Sequence, residues 1–171
     1  MKSKKSSPIY PAEYKSVFKD ISKIYEDAQE SGNENWNQTS LYSNWKIGER
    51  IDEVEQAHRD RGNYGDSLLK QLSDDLNRRF GKGFSDRNLR YMRRFYQCYK
   101  KANINAQLAW SHYRTLLLVQ DPDKRETLET QAIDANWSQR VLLIRVNRVL
   151  AGNRGKIADE KPGNLTDFDL K

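Results

Sequence analysis

The chain has 171 residues, 36% hydrophobic and 32% charged, with a mean hydropathy of -0.98, which is room for one domain with a real core and too little to expect two. The lone Cys98 excludes an internal disulfide framework or cysteine zinc cluster; no 18-residue apolar run and no apolar stretch behind the basic N-terminus offers a membrane span or leader, so the chain reads as soluble and cytoplasmic. A formal charge of +6 and a pI near 9.3 put a polyanion among the plausible partners.

Residues 1–11 hold lysines, serines and two prolines and read as a flexible lead-in. From Ala12 the spacing of Tyr14, Val17, Phe18, Ile21, Ile24, Tyr25 and Ala28 predicts an amphipathic helix ending near Gly32. A second helix is expected from about Asn35, with Trp36, Leu41, Trp45, Ile47, Ile51 and Val54 as its apolar face and Glu49, Asp52, Glu53 and Glu55 as its wet side. RGNYGD at 61–66 breaks it, and a third helix capped by Asp66 or Ser67 carries Leu69, Leu72, Leu76 and Phe80.

Gly81 and Gly83 form a turn, Ser85 is an N-cap and Asp86 suits the first turn of a fourth helix, 86–100. A short buried helix in LAWSHYRTLLLV, a sixth started by Asp121 and Pro122, and a last one from Trp137 and Ser138 complete the series. From Gly152 the composition turns to Gly, Asn, Lys, Asp and Pro, the signature of a disordered tail over 152–171. The fold class is all-α: a compact domain of about seven helices over 12–151 containing a helix-turn-helix-like pair, the third and fourth.

Charge is distributed unevenly. Nine cations and one acid lie between Arg78 and Lys101, so this segment carries +8 and the remainder about -2. At about 100° per residue, Arg87, Arg90, Arg94, Gln97 and Lys101 gather opposite a face of Leu89, Met92, Tyr96 and Tyr99, with Arg93 and Lys100 on the flank. Arg78, Arg79 and Lys82 come from the end of the third helix and the turn. Clustered like charges repel, and phosphates offset that repulsion by counterion release, while arginine can grip guanine in the major groove. Asn88 and Gln97 are of the type that pairs with adenine, although Asn88 lies toward the apolar side and can instead serve the helix start. The bland alternative is a solvated basic face with arginine stems packed over aromatics.

Catalytic constellations are not evident. Ser111 and His112 are helix neighbours pointing about 100° apart with no third group, and a satisfied helix-end cluster is the better reading. His58, His112 and Cys98 offer no metal-ligand spacing, so neither a metal nor a cofactor is expected. Asp159, Glu160 and Lys161 imitate the end of a nuclease motif inside the polar tail, with no strand to position them.

The runs LYSNWKIGERI (41–51), YGDSLLKQLSDDLNRRFGKGFSDRNLRYMRRFYQCY (64–99) and LAWSHYRTLLLVQDPDKRETLETQAIDANWS (108–138) resemble the YhcG-type N-terminal domain. The resemblance covers about Asn35 to Leu150 and implies a bacterial or phage-associated helical domain that in most relatives precedes a PD-(D/E)xK nuclease-like domain. It places Arg87, Asn88, Arg90, Arg93 and Arg94 in motif positions. Because the sequence stops about where the nuclease part would begin, recognition without cleavage is the expected share of the activity.

Two functions follow. The first is a non-catalytic nucleic-acid-binding module, for double-stranded DNA, using Arg78, Arg79, Lys82, Arg87, Asn88, Arg90, Arg93, Arg94, Gln97 and Lys101; RNA is the alternative polyanion, with Tyr91, Tyr96 and Tyr99 as stacking surfaces. The second is a protein-interaction or assembly module of a bacterial defence, restriction or mobile-element system, whose partner, such as a nuclease or restriction subunit, presents an acidic surface.

Overall fold

The first helix, α1 (Pro11–Glu30), buries Tyr14, Val17, Ile21 and Ala28, the stripe expected from their three- and four-residue steps. The computed structural model describes residues 11–31, 35–58, 60 and 64–152, and these form seven α-helices and one turn of 3-10 helix. The others are α2 (Trp36–Ala57), α3 (Tyr64–Phe80), α4 (Asp86–Cys98), α5 (Trp110–Leu116), α6 (Pro122–Asp134) and α7 (Gln139–Gly152), with the 3-10 turn at Lys101–Asn103. The all-α expectation holds. Pro11 and Gly152 fall inside helices; the remainder of the expected loose ends lies outside the described residues, as do Asp159, Glu160 and Lys161.

Local chemistry accounts for several boundaries. Asn35, Ser85 and Asp121 each accept a backbone N–H from the first turn of α2, α4 and α6, and Pro122 occupies the position where its missing N–H costs nothing. Gly81 and Gly83 have φ of 83° and 137°, backbone conformations that favour glycine, so the five residues 81–85 turn the chain sharply from α3 into α4. The Asn77 side chain holds that turn by accepting the Phe84 N–H at 3.1 Å.

Two boundaries differ from expectation. Helix α3 starts at Tyr64 rather than at a cap on Asp66 or Ser67. Tyr64 is buried, its hydroxyl donates to Glu13 at 3.1 Å and its ring lies 4.4 Å from His58, so tertiary anchoring overrides the capping preference. Helix α4 ends at Cys98 because Tyr99 is extended (φ -124°, ψ 131°), with its carbonyl accepting the Trp45 indole N–H at 2.8 Å.

Two apolar clusters form the core. One joins α1, α2 and α3 through Val17, Ile21, Ile47, Ile51, Leu68, Leu69, Leu72 and Leu76. The other joins α5, α6 and α7 through Tyr113, Leu116, Leu128, Ala132, Leu142 and Val146. Helix α4 enters both, with Leu89 and Met92 in the first and Phe95 in the second, which Tyr99 just beyond the helix also joins. At roughly 1.5–3 kcal/mol for each fully buried large apolar side chain, this double membership fixes the rotation of α4, and therefore which of its residues face outward.

Candidate nucleic-acid interface

Helix α4 packs chiefly on α2 and to a lesser extent on its sequence neighbours α3 and α5. Its buried positions are Leu89, Met92 and Phe95, whereas Tyr96 is half-buried with its ring edge-on to Trp45 at 4.9 Å. The expected apolar face was thus turned slightly: Phe95, not Tyr96, is its inner aromatic. With that face fixed, the polar side chains fall on two flanks with different electrostatic surroundings.

On the flank toward α2 and α3, carboxylates meet the cations. Arg90 donates through Nε to Asp86 at 2.8 Å and through Nη2 to Asp66 at 2.9 Å. These hydrogen bonds, first Asp86 and then Asp66, raise the Arg90 pKa above the ordinary guanidinium value. Arg93 pairs through Nη1 with Glu55 of α2, and Gln97 donates to Asp52 at 2.6 Å. Of the cationic face expected on α4, Arg90, Arg93 and Gln97 therefore lie against carboxylates. Asp52, Glu55 and Glu53 read as a wet acidic side of α2 in the sequence, yet folding lays the first two against α4.

On the other flank stand Arg87, Tyr91 and Arg94, at the four- and three-residue steps that align side chains along one side of a helix. Arg114 of α5 joins them: its Cζ lies 5.2 Å from the Tyr91 ring centroid and that of Arg87 lies 5.8 Å from the same ring. Tyr91 so gathers two guanidinium groups, each such contact being worth about 0.5–1 kcal/mol at an exposed site. Among the described residues no carboxylate pairs with Arg87, Arg94 or Arg114, and Lys82 in the preceding turn has none either. The Nε of Arg114 is buried without a hydrogen-bond partner.

The remaining predicted residues sit at the margins. Arg78 is 78% exposed and pairs with Asp75 at 3.1 Å. Arg79 donates to Glu26 at 2.6 Å and its Cζ lies 5.1 Å from the Phe80 ring and 5.9 Å from that of Phe18. Lys101 places its Nζ 5.1 Å from the Tyr42 ring. Both ends of the Asn88 amide are occupied by the fold: Nδ2 donates to the Gly83 carbonyl at 2.5 Å and Oδ1 accepts the Trp110 indole N–H at 3.1 Å. That is the helix-start role, joining the α3–α4 turn to α5.

Sequence reasoning missed Arg114. The signal was present, since WSHYRTL contains no acid to pair with it; only the folded contact with Tyr91 joins it to Arg87. Its neighbour His112 is the satisfied helix-end group anticipated, with Nδ1 accepting the Ala109 N–H at 3.2 Å and Nε2 at 3.0 Å from the Trp137 carbonyl.

A family model described as the DUF1016 N-terminal domain matches residues 20–151. The chain is similar to the Escherichia coli (strain K12) protein named "Putative nuclease YhcG", at 32% identity across 57% of this chain and 35% of that one. It thus spans about a third of the length of that relative. No solved structure matches it. No helix among the described residues is long and apolar enough to cross a membrane.

Proposed function

The chain belongs to the DUF1016 N-terminal domain family, and from that membership and the divided charge of α4 we propose a nucleic-acid-binding module that takes double-stranded DNA and performs no cleavage itself. The observation that carries this reading is the carboxylate-free set of Arg87 and Arg114, both against the Tyr91 ring, and Arg94 one turn further along α4, beside a flank of α4 whose arginines each meet a carboxylate. Guanidinium groups gathered on one flank without an anion repel one another. A phosphate row relieves that repulsion and releases counterions, and the planar guanidinium fork suits phosphate oxygens.

Lys82, in the turn between α3 and α4, extends the cationic line at the start of the helix. Lys101 then serves as a peripheral contact, while Arg78 and Arg79 stay with Asp75 and Glu26. The α3–turn–α4 unit would act as a helix-turn-helix-like pair that lays the outer flank of α4 along the backbone of the duplex, with base-edge contacts secondary. The printed name of the relative, a nuclease, fits a module that recognises nucleic acid for a cleaving partner or domain.

A gel-shift series tests this with duplex DNA, single-stranded DNA and RNA of equal length at near-physiological salt. Retention of the duplex above the other two is expected. If no probe is retained, the reading falls and the protein-interaction alternative, with an acidic partner surface on the same cluster, takes its place.

A further inference from the structure

The paired flank of α4 has a feature that ordinary surface ion pairs lack: its carboxylates form a row. Arg90, Arg93 and Gln97 stand at successive turns of α4, and each takes one oxygen from a different carboxylate of a neighbouring helix, Asp66 of α3, Glu55 of α2 and Asp52 of α2. The row therefore presents to α4 about one negative charge per helical turn.

The fit is also incomplete. Arg93 meets Glu55 through Nη1 alone; its Nε and the Glu55 Oε1 are both buried and without hydrogen-bond partners. The carboxylate thus does not reach the bidentate geometry that an Arg–carboxylate pair can take. Asp66 is 68% exposed, so its hold on Arg90 is screened by water and salt. Asp86 stays with Arg90 in either case, since it lies on the same helix.

We infer that Arg90, Arg93 and Gln97 are a second, self-screened half of the DNA surface, in which Asp52, Glu55 and Asp66 occupy the places of phosphates and keep the footprint confined to the Arg87, Arg94 and Arg114 flank. The inference rests on the proposed function. It implies that the chain binds DNA more weakly than its cations alone would allow, and that removing acids from this row uncovers contacts rather than merely shifting net charge.

The test is the salt dependence of duplex binding by the whole chain, followed by fluorescence anisotropy. Asp52→Asn with Asp66→Asn keeps side-chain size, and adding Glu55→Gln removes the charge that neutralises Arg93. Each newly exposed phosphate contact is expected to steepen the slope of log K against log salt by about 0.9, reached in full by Arg93 and in part by Arg90, which keeps Asp86. Affinity at 100 mM salt (about a Debye length of 10 Å) is expected to rise at least about tenfold. Asp123→Asn with Asp134→Asn changes the charge as much as the first variant and is expected to leave the slope unchanged. Adding Arg90→Ala and Arg93→Ala to the neutralised chain is expected to abolish the gain.

Urea midpoints confirm that each variant is folded, and the Asp52 and Asp66 pair supplies the answer if Glu55→Gln unfolds. If the wild type binds the duplex and neutralising the row leaves its slope unchanged, or the Asp123 and Asp134 control gains equally, the inference fails and the proposed function stands. If neither the wild type nor any neutralised chain binds, both fail.

Discussion

The backbone of Gly48 in α2 passes so close to Met92 in α4 that a Cβ at Gly48 would fall on the Met92 carbonyl oxygen. The obstacle is backbone, so no rotamer change relieves it. Gly48→Ala is expected to cost about 1–3 kcal/mol or more, read as a lower urea midpoint with unchanged m-value. Because Met92 lies between Tyr91 and Arg93, the same substitution displaces the proposed DNA surface, and duplex affinity is expected to fall even where the variant remains folded. An unchanged midpoint would show that α2 and α4 do not approach this closely.

The pair Glu55 and Arg93 has side-chain exposures of 16% and 26%, so removing one partner leaves a largely buried charge alone. Glu55→Ala is expected to destabilise the fold by about 2 kcal/mol, and Glu55→Gln by less, since the amide still accepts from Arg93. Equal losses from the two, by chemical denaturation, would indicate that the Arg93 contact contributes nothing.

Three phenols are held neutral by the fold. Burial, with a hydrogen bond to Asp75 at 2.5 Å as the second cause, raises the pKa of Tyr14; burial and then the charge of Glu129 raise those of Tyr99 and Tyr113. Folded values above the unfolded ones give stability that is complete below the ordinary phenol pKa, near 10, and lost as pH rises through the raised values. In an alkaline absorbance titration of the nine tyrosines, these three are expected to ionise only together with loss of helical circular dichroism. Full phenolate formation in a still-helical chain would contradict their burial.

Glu129 shows the corresponding acid behaviour. Burial raises its pKa, opposed by hydrogen bonds from tyrosine hydroxyls, including that of Tyr113 at 3.2 Å. A carboxyl whose folded pKa is raised contributes stability below its unfolded pKa and loses it as pH rises through the folded one. Glu129→Gln is therefore expected to melt higher than the wild type at neutral pH, with the difference closing as the pH is lowered to the acid side. A constant difference across that range would remove Glu129 as its source.

Much of this architecture was legible from periodicity and punctuation. Asn35, Ser85 and Asp121 begin helices as their side-chain chemistry dictates, and Gly81 and Gly83 turn the chain where the pattern breaks. The site was legible only in part, because a helical wheel places Arg90 and Arg93 outward without revealing what stands opposite. Their carboxylates come from residues 24 and 38 positions earlier, and Arg114 reaches Tyr91 from another helix. Local rules carry no information on such partners. The start of α3 shows the same limit, since the anchor of Tyr64 on Glu13 spans 51 residues.

The most direct measurement is the salt dependence of duplex binding in the Arg87→Ala, Arg94→Ala, Arg114→Ala triple variant, set beside an Arg78→Ala, Arg79→Ala variant that removes carboxylate-paired cations. The slope of log K against log salt is expected to flatten by about 2.7 in the first, at about 0.9 for each lost phosphate contact, and to change little in the second. A folded triple variant with the wild-type slope, or an equal loss from the paired arginines, would contradict the assignment of DNA binding to the carboxylate-free flank of α4.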